Sequence, residues 1–208
     1  SWANYVKGVF LYLAELGFAF PHGMDIAFYG NIPNGSGLSS SASFELLVGV
    51  IARKVYSLSI DTLGLVKVGK RVENDFIGVN SGIMDQFAVG MGKKDHAIFL
   101  DCATLEYELV PVKLGDYRIV IMNTNKRREL ADSKYNERFA ETRIALKELQ
   151  EHVAIESLGD LTIDQFDELK HHLSSELFVK RARHAVSENE RTVLATRVLK
   201  EGDLAHFG

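Results

Sequence analysis

The sequence predicts an α+β protein with a mostly antiparallel sheet, and three patterns support this fold class. Apolar residues recur at three- and four-residue spacing before Gly17 and again after Ser41, which is typical of two amphipathic helices. Two further helices, each with an apolar stripe in a charged segment, are predicted after Ser133, so the second half is helix-rich. Short β-branched or aromatic runs separated by polar residues indicate strands at 97–101, 107–112 and 118–123.

Composition favours a small-molecule ligand over a nucleic acid or a membrane. The 208 residues are 46% hydrophobic and 25% charged, with a formal net charge of −4 and both signs mixed along the chain. Such a chain lacks the basic stripe that nucleic acids or anionic lipids require. Cys102 is the single cysteine, so neither an intramolecular disulfide nor a zinc cluster is possible. We therefore expect a cytoplasmic protein that binds neither nucleic acid nor membrane.

A glycine- and serine-rich loop at 33–42 is the first candidate site. It follows the extended run Met24–Tyr29 and precedes the helix that begins in the serine cluster. Small residues let the backbone approach an anion, and the positive end of a helix favours negative charge there. The loop is neither a Walker A motif nor a Rossmann fingerprint. The alternative is a flexible connector with a serine helix cap.

Two carboxylates follow the loop. Asp85 lies between a glycine turn and the apolar run 87–89, where a carboxylate can accept or orient the proton of a hydroxyl group. Its alternative role is a helix N-cap. Glu73 is the carboxylate that could join a hydroxyl and phosphates around a magnesium ion. Its alternative role is a solvated charge on a helix.

These segments resemble the galactokinase branch of the GHMP sugar-kinase family. The pattern Pro-x-Gly-x-Gly-Leu-Ser-Ser-Ser-Ala at 33–42 is similar to the second signature of that family, and Gly-Ile-Met-Asp-Gln at 82–86 matches its catalytic-base segment at every position. The segment 71–76 resembles the Ala-Glu-His segment of the family, although Val72 and Asn74 replace the flanking residues. The resemblance extends over essentially the whole chain.

The resemblance implies a role for each candidate residue. Ser41 and Glu73 would be the magnesium ligands, Asp85 would be the catalytic base and contact the sugar, and Tyr135 would hydrogen-bond the sugar. The residues that would wrap the phosphates of ATP are Gly35, Ser36, Gly37, Leu38, Ser39, Ser40 and Ser41.

The resemblance also implies an architecture and a reaction. The fold would be GHMP-kinase-like, with mixed, mostly antiparallel sheets and helices in two domains and an active site between them. Residues 1–124 would belong to the N-terminal domain and 125–208 to the helix-rich part of the C-terminal domain. We expect the central part of a longer kinase, monomeric at full length. With ATP and Mg²⁺ as cofactors, it would phosphorylate the anomeric hydroxyl of D-galactose to α-D-galactose 1-phosphate.

Two other functions remain open. Another GHMP sugar kinase, acting on N-acetylgalactosamine or arabinose, would share every motif described above. A sensor that binds galactose and ATP without turnover is the alternative outside catalysis. The intact Ser-Ser-Ser-Ala at 39–42 favours a kinase over a sensor, because such sensors resemble kinases that have lost residues from this loop.

Overall fold

The computed structural model describes residues 1–33, 36–123 and 134–208. Helices form most of this structure, together with one two-stranded sheet. In chain order the regular elements are α1 (Ala3–Glu15), α2 (Ser40–Val55), α3 (Thr62–Arg71), a π-helix (Val72–Ile77), α4 (Met84–Met91), β1 (His96–Leu100), β2 (Tyr107–Pro111), α5 (Lys134–Gln150), a 3₁₀ turn (Leu158–Asp160), α6 (Ile163–Leu169), a second 3₁₀ turn (Lys170–His172), α7 (Glu176–Glu201) and α8 (Leu204–Phe207). Among these described helices, none is both long enough and apolar enough to cross a membrane.

The chain divides into two compact units. The first contains Ser1–Lys94, the hairpin tip Leu100–Tyr107 and, among the described residues, 118–123. The second contains Asp95–Phe99, Glu108–Tyr117 and Lys134–Gly208. The predicted domain boundary, between 124 and 125, falls at the edge of a stretch outside the described residues and stays a prediction. The α+β class itself is confirmed by helices combined with a small antiparallel sheet.

Close backbone contacts hold the helices of the first unit together. A Cβ atom on Gly8 of α1 would lie 2.8 Å from Val72 Cγ1, and one on Gly90 of α4 would lie 2.6 Å from Val66 Cγ2 of α3. Glycine at these two positions therefore lets the helices approach more closely than any other residue would. The side chain of Asp61 fixes the start of α3 by accepting a hydrogen bond from the Gly64 N–H at 2.6 Å.

Of the three predicted strands and the extended run Met24–Tyr29, two segments form strands. β1 and β2 pair as a hairpin close to their predicted positions, whereas neither Met24–Tyr29 nor 118–123 is a strand. The side chains from Met24 to Tyr29 still alternate between half-buried and exposed, which is typical of extended backbone. A strand also requires a hydrogen-bonded partner, however, and an apolar pattern does not supply one.

The second unit has an apolar core of its own. Phe166 of α6, Leu149 of α5 and Val186 of α7 are fully buried in it. α6 begins with a capping box in which Thr162 and Gln165 exchange side-chain hydrogen bonds with each other's backbone. All buried members of this core belong to the second unit.

We expect Gly90→Ala to destabilise the first unit by about 1–3 kcal/mol, because the new methyl group would overlap Val66 where α3 and α4 meet. Urea denaturation followed by circular dichroism measures the change. Gly23→Ala is the matched control, since a Cβ atom there meets nothing within 4 Å. Equal stability of the two variants would contradict the close crossing.

Candidate active site

The glycine- and serine-rich loop leads into the N-terminus of α2. Gly37 and Ser39 have left-handed backbones, with φ of 76° and 55°, and α2 starts at Ser40. Ser39 is the N-cap residue but makes no side-chain capping hydrogen bond, so its hydroxyl does not serve the capping role that composition alone suggested. Ser36 donates to the Pro33 carbonyl at 2.7 Å. Leu38 is exposed, and Gly35 lies outside the described residues.

Ser41 and Glu73 meet in the first unit. Ser41 Oγ donates to Glu73 Oε1 at 2.7 Å, although 32 positions separate these residues in the chain. Glu73 is only 3% exposed and lies in the π-helix, whose wider turns change the direction of its side chains. The solvated-charge alternative for Glu73 is therefore wrong.

Ser81 is a partner of Glu73 that sequence reasoning missed. Its hydroxyl donates to Glu73 Oε2 at 2.6 Å, so both carboxylate oxygens accept a serine hydroxyl. Asn74, the residue that replaces the usual histidine, supports the same turn when its amide nitrogen faces the Val79 carbonyl at 2.9 Å. Ser81 immediately precedes the Gly-Ile-Met-Asp-Gln segment, and that position was the available signal.

Asp85 lies in the first turn of α4 and is half-buried. The N-cap of that helix is Ile83, so Asp85 does not fill the capping role that was its alternative. The next two residues, Gln86 and Phe87, are fully buried and anchor the helix beneath Asp85. Phe87 also contacts the Tyr107 ring edge-on, with centroids 5.2 Å apart. Asp85 is therefore held on a rigid element while remaining accessible.

An aromatic cavity of about 700 Å³ lies beside the start of α2. Its wall includes Ser40 and Ser41 together with Trp2, Phe28 and Phe44, whose rings contact one another at centroid distances of 4.6–6.3 Å. Sequence reasoning assigned no role to these aromatic residues, because a strand-like run and two helices bring them together only in the folded unit. The signal available for Trp2 and Tyr5 was their three-residue spacing at the start of α1, where Trp2 is the N-cap residue.

Tyr5 also lines this cavity. Burial raises the pKa of its phenol, and the negative charge of Glu73 raises it further. Its phenol therefore stays protonated at neutral pH and can donate a hydrogen bond.

Tyr135, the predicted sugar contact, belongs to the second unit. It lies in the first turn of α5, and its side chain is 49% exposed. Ser41, Glu73 and Asp85 belong to the first unit. The role of Tyr135 therefore stays a prediction.

The chain is similar to known kinases along its whole length. Residues 4–93 match the family described as GHMP kinases N terminal domain. All 208 residues align at 60% identity with a galactokinase of Enterococcus faecalis and with one of Streptococcus mutans. A solved Lactococcus lactis galactokinase, complexed with galactose, superposes with a TM-score of 0.96 at 53% identity and covers 100% of this chain.

These findings confirm the resemblance to galactokinases of the GHMP kinase family that the motifs predicted. The chain spans about half the length of the relatives it matches: 54% of the Enterococcus protein, 53% of the Streptococcus protein and 54% of the Lactococcus structure. The α+β fold class is confirmed by the same structural match.

We expect Ser81→Ala to lower the free energy of unfolding by about 1.5–3 kcal/mol, because a buried carboxylate loses one of its two hydroxyl partners. Thermal and urea unfolding measure the loss. Ser187→Ala removes a half-buried serine whose hydroxyl bonds the His184 carbonyl of its own helix, and it should change stability by less than about 0.5 kcal/mol. If both variants unfold like the wild type, Ser81 does not support Glu73.

Proposed function

We propose that the polypeptide carrying these residues is a galactokinase, which transfers the γ-phosphoryl group of ATP to the anomeric hydroxyl of D-galactose. The main support is the Ser41–Glu73 contact at the start of α2, found in a chain 60% identical to galactokinases over its full length. A phosphoryl transfer catalyst needs a phosphate-binding loop, a site for a divalent cation and a group that orients the acceptor hydroxyl. Residues suited to each task lie in the first unit.

The aromatic cavity supports binding of the nucleotide. Trp2, Phe28 and Phe44 offer flat apolar faces for a purine base, and the cavity also reaches Ser40 and Ser41 at the start of α2. A base stacked there would place its phosphates towards the N-terminus of a 16-residue helix, whose dipole favours negative charge. The left-handed backbones of Gly37 and Ser39 form the turn that precedes this N-terminus.

Ser41 and Glu73 fit a magnesium ion. Magnesium prefers oxygen ligands, and a hydroxyl and a carboxylate already lie 2.7 Å apart. Glu73 is buried, yet no lysine or arginine of the described residues forms an ion pair with it, so a cation would compensate its charge. The ion, when bound, stabilises the negative charge of the phosphates. Within the described ranges no three His, Cys, Asp or Glu side chains converge, so phosphate oxygens would complete the coordination.

Asp85 is the residue suited to orient the sugar hydroxyl. It is half-buried on α4 above two fully buried residues, so its carboxylate is fixed but accessible. A carboxylate within hydrogen-bond reach of an acceptor hydroxyl can take its proton or align it for attack. In this proposal Tyr135 adds a hydrogen bond to the sugar.

The direct test measures sugar-dependent ADP release by the full polypeptide that carries these residues, with ATP, magnesium and separate sugars. We expect release with galactose and not with N-acetylgalactosamine or arabinose. Release with another sugar would keep the chemistry and change the substrate. Binding of galactose and ATP without ADP release would indicate a sensor and would reject the proposed reaction.

Asp85→Asn should lower kcat by about 10²–10⁴-fold, because the amide cannot accept the hydroxyl proton. The affinity for ATP, measured by calorimetry, should change little. Asp116→Asn alters an exposed carboxylate of the second unit and should keep normal turnover. Wild-type kcat in Asp85→Asn would remove Asp85 from the mechanism.

A further inference from the structure

Glu45 and Gln86 form a buried polar pair that the proposed mechanism does not use. Glu45 of α2 is 1% exposed and Gln86 of α4 is fully buried, and Gln86 Nε2 donates to Glu45 Oε2 at 3.1 Å. The other oxygen of each side chain, Oε1 in both cases, is buried and has no hydrogen-bond partner in the described structure. Buried acceptors without a hydrogen-bond partner are rare in folded proteins, because each loses its hydration without gaining a protein hydrogen bond.

A single proton would satisfy both oxygens. An ionised carboxylate and an amide oxygen can only accept, whereas a neutral carboxyl group carries an O–H donor. With the proton on its Oε1, Glu45 could donate to Gln86 Oε1 while its Oε2 accepts from Gln86 Nε2. The two side chains would then form a ring of two hydrogen bonds.

The surroundings favour the protonated form. Burial raises the pKa of Glu45 to about 9, the negative charges of Glu73 and Asp85 add to the shift, and the Gln86 hydrogen bond opposes it. Tyr5 of α1 also interacts with Glu45. Because the pKa of Tyr5 is raised above its ordinary value, its phenol is uncharged at neutral pH. On the α3 side, the pair is covered by Gly69.

The pair has little room to move. A Cβ atom on Gly69 of α3 would lie 3.0 Å from Gln86 Cγ and 3.1 Å from Glu45 Oε2. Glu45 is one helical turn beyond Ser41 on α2, and Gln86 directly follows Asp85 on α4. Hydrogen bonds are directional, so a ring between these helices would set their register, which apolar contacts alone leave adjustable.

We propose that Glu45 stays protonated and pairs with Gln86 through two hydrogen bonds, and that this ring positions Asp85 relative to the phosphate-binding end of α2. Glu45 is thus a positioning residue and not a catalytic one. The positioning role rests on the kinase function proposed above, whereas the protonation of Glu45 does not.

Stability against pH tests the protonation. An unfolded glutamate loses its proton near pH 4.5, while the folded protein would keep it up to about pH 9, so rising pH favours the unfolded state between these values. Glu45→Gln has no proton to lose and can keep the ring through its own amide N–H. In magnesium-free urea denaturation, the ratio of the wild-type unfolding constant to that of Glu45→Gln should rise about tenfold per pH unit from pH 6 to 8. A ratio that stays constant would show an ionised Glu45 and overturn the proposal.

Kinetics test the positioning role. Glu45→Gln should keep kcat within about threefold, whereas Glu45→Met should lower kcat by about 10–100-fold with little change in the KM for ATP. The double variant Glu45→Met with Gln86→Met removes every polar atom of the pair and should recover stability, because no buried acceptor is left bare.

We expect the double variant to keep its low kcat, since apolar contact does not restore the register. Wild-type kcat in the folded double variant would overturn the positioning role. If the wild-type polypeptide releases no ADP with any sugar, the proposed function and the positioning role both fail. The pH dependence of stability would still decide the protonation of Glu45.

Discussion

Three polar side chains, Glu45, Glu73 and Gln86, are buried in the first unit, and their need for hydrogen-bond partners constrains how its helices meet. They are the only buried polar or charged side chains of the residues that the structure describes. Burying a polar group without a partner costs free energy, so each must face a donor or acceptor on another element. Glu73 is satisfied by Ser41 and Ser81, which links the π-helix to α2 and to the turn before α4.

The same constraint accounts for the arrangement of the candidate active site. Glu73 lies directly after α3, where the change from α to π winding gives its side chain a direction that a continuous α-helix would not. Its two oxygens each accept a serine hydroxyl, one from the start of α2, directly after the glycine- and serine-rich loop, and one from the segment that leads to Asp85. A site built in this way depends on helix packing more than on the loop itself.

The extended segments illustrate the opposite case, in which local preference is clear but no regular structure results. Ile119 to Met122 form an apolar run whose side chains are 62–86% exposed, and Tyr29 is 95% exposed. Apolar residues in such numbers on a surface are unusual for an isolated soluble unit. The helices of the second unit, in contrast, bury a core of their own around Phe166.

The sequence alone determined the helices α1, α2, α5 and α7, the strands β1 and β2, the family resemblance and the identity of Ser41, Glu73 and Asp85 as candidates, because periodicity and short motifs are local properties of the chain. It did not determine that Ser81 supports Glu73, that Trp2 and Phe44 line one cavity, or that Glu45 meets Gln86. The sequence around Glu45 does not distinguish it from other glutamates on amphipathic helices, and such residues are usually solvated. Only the tertiary structure removed it from water, since burial is decided by the elements packed around a residue and not by its neighbours in the chain.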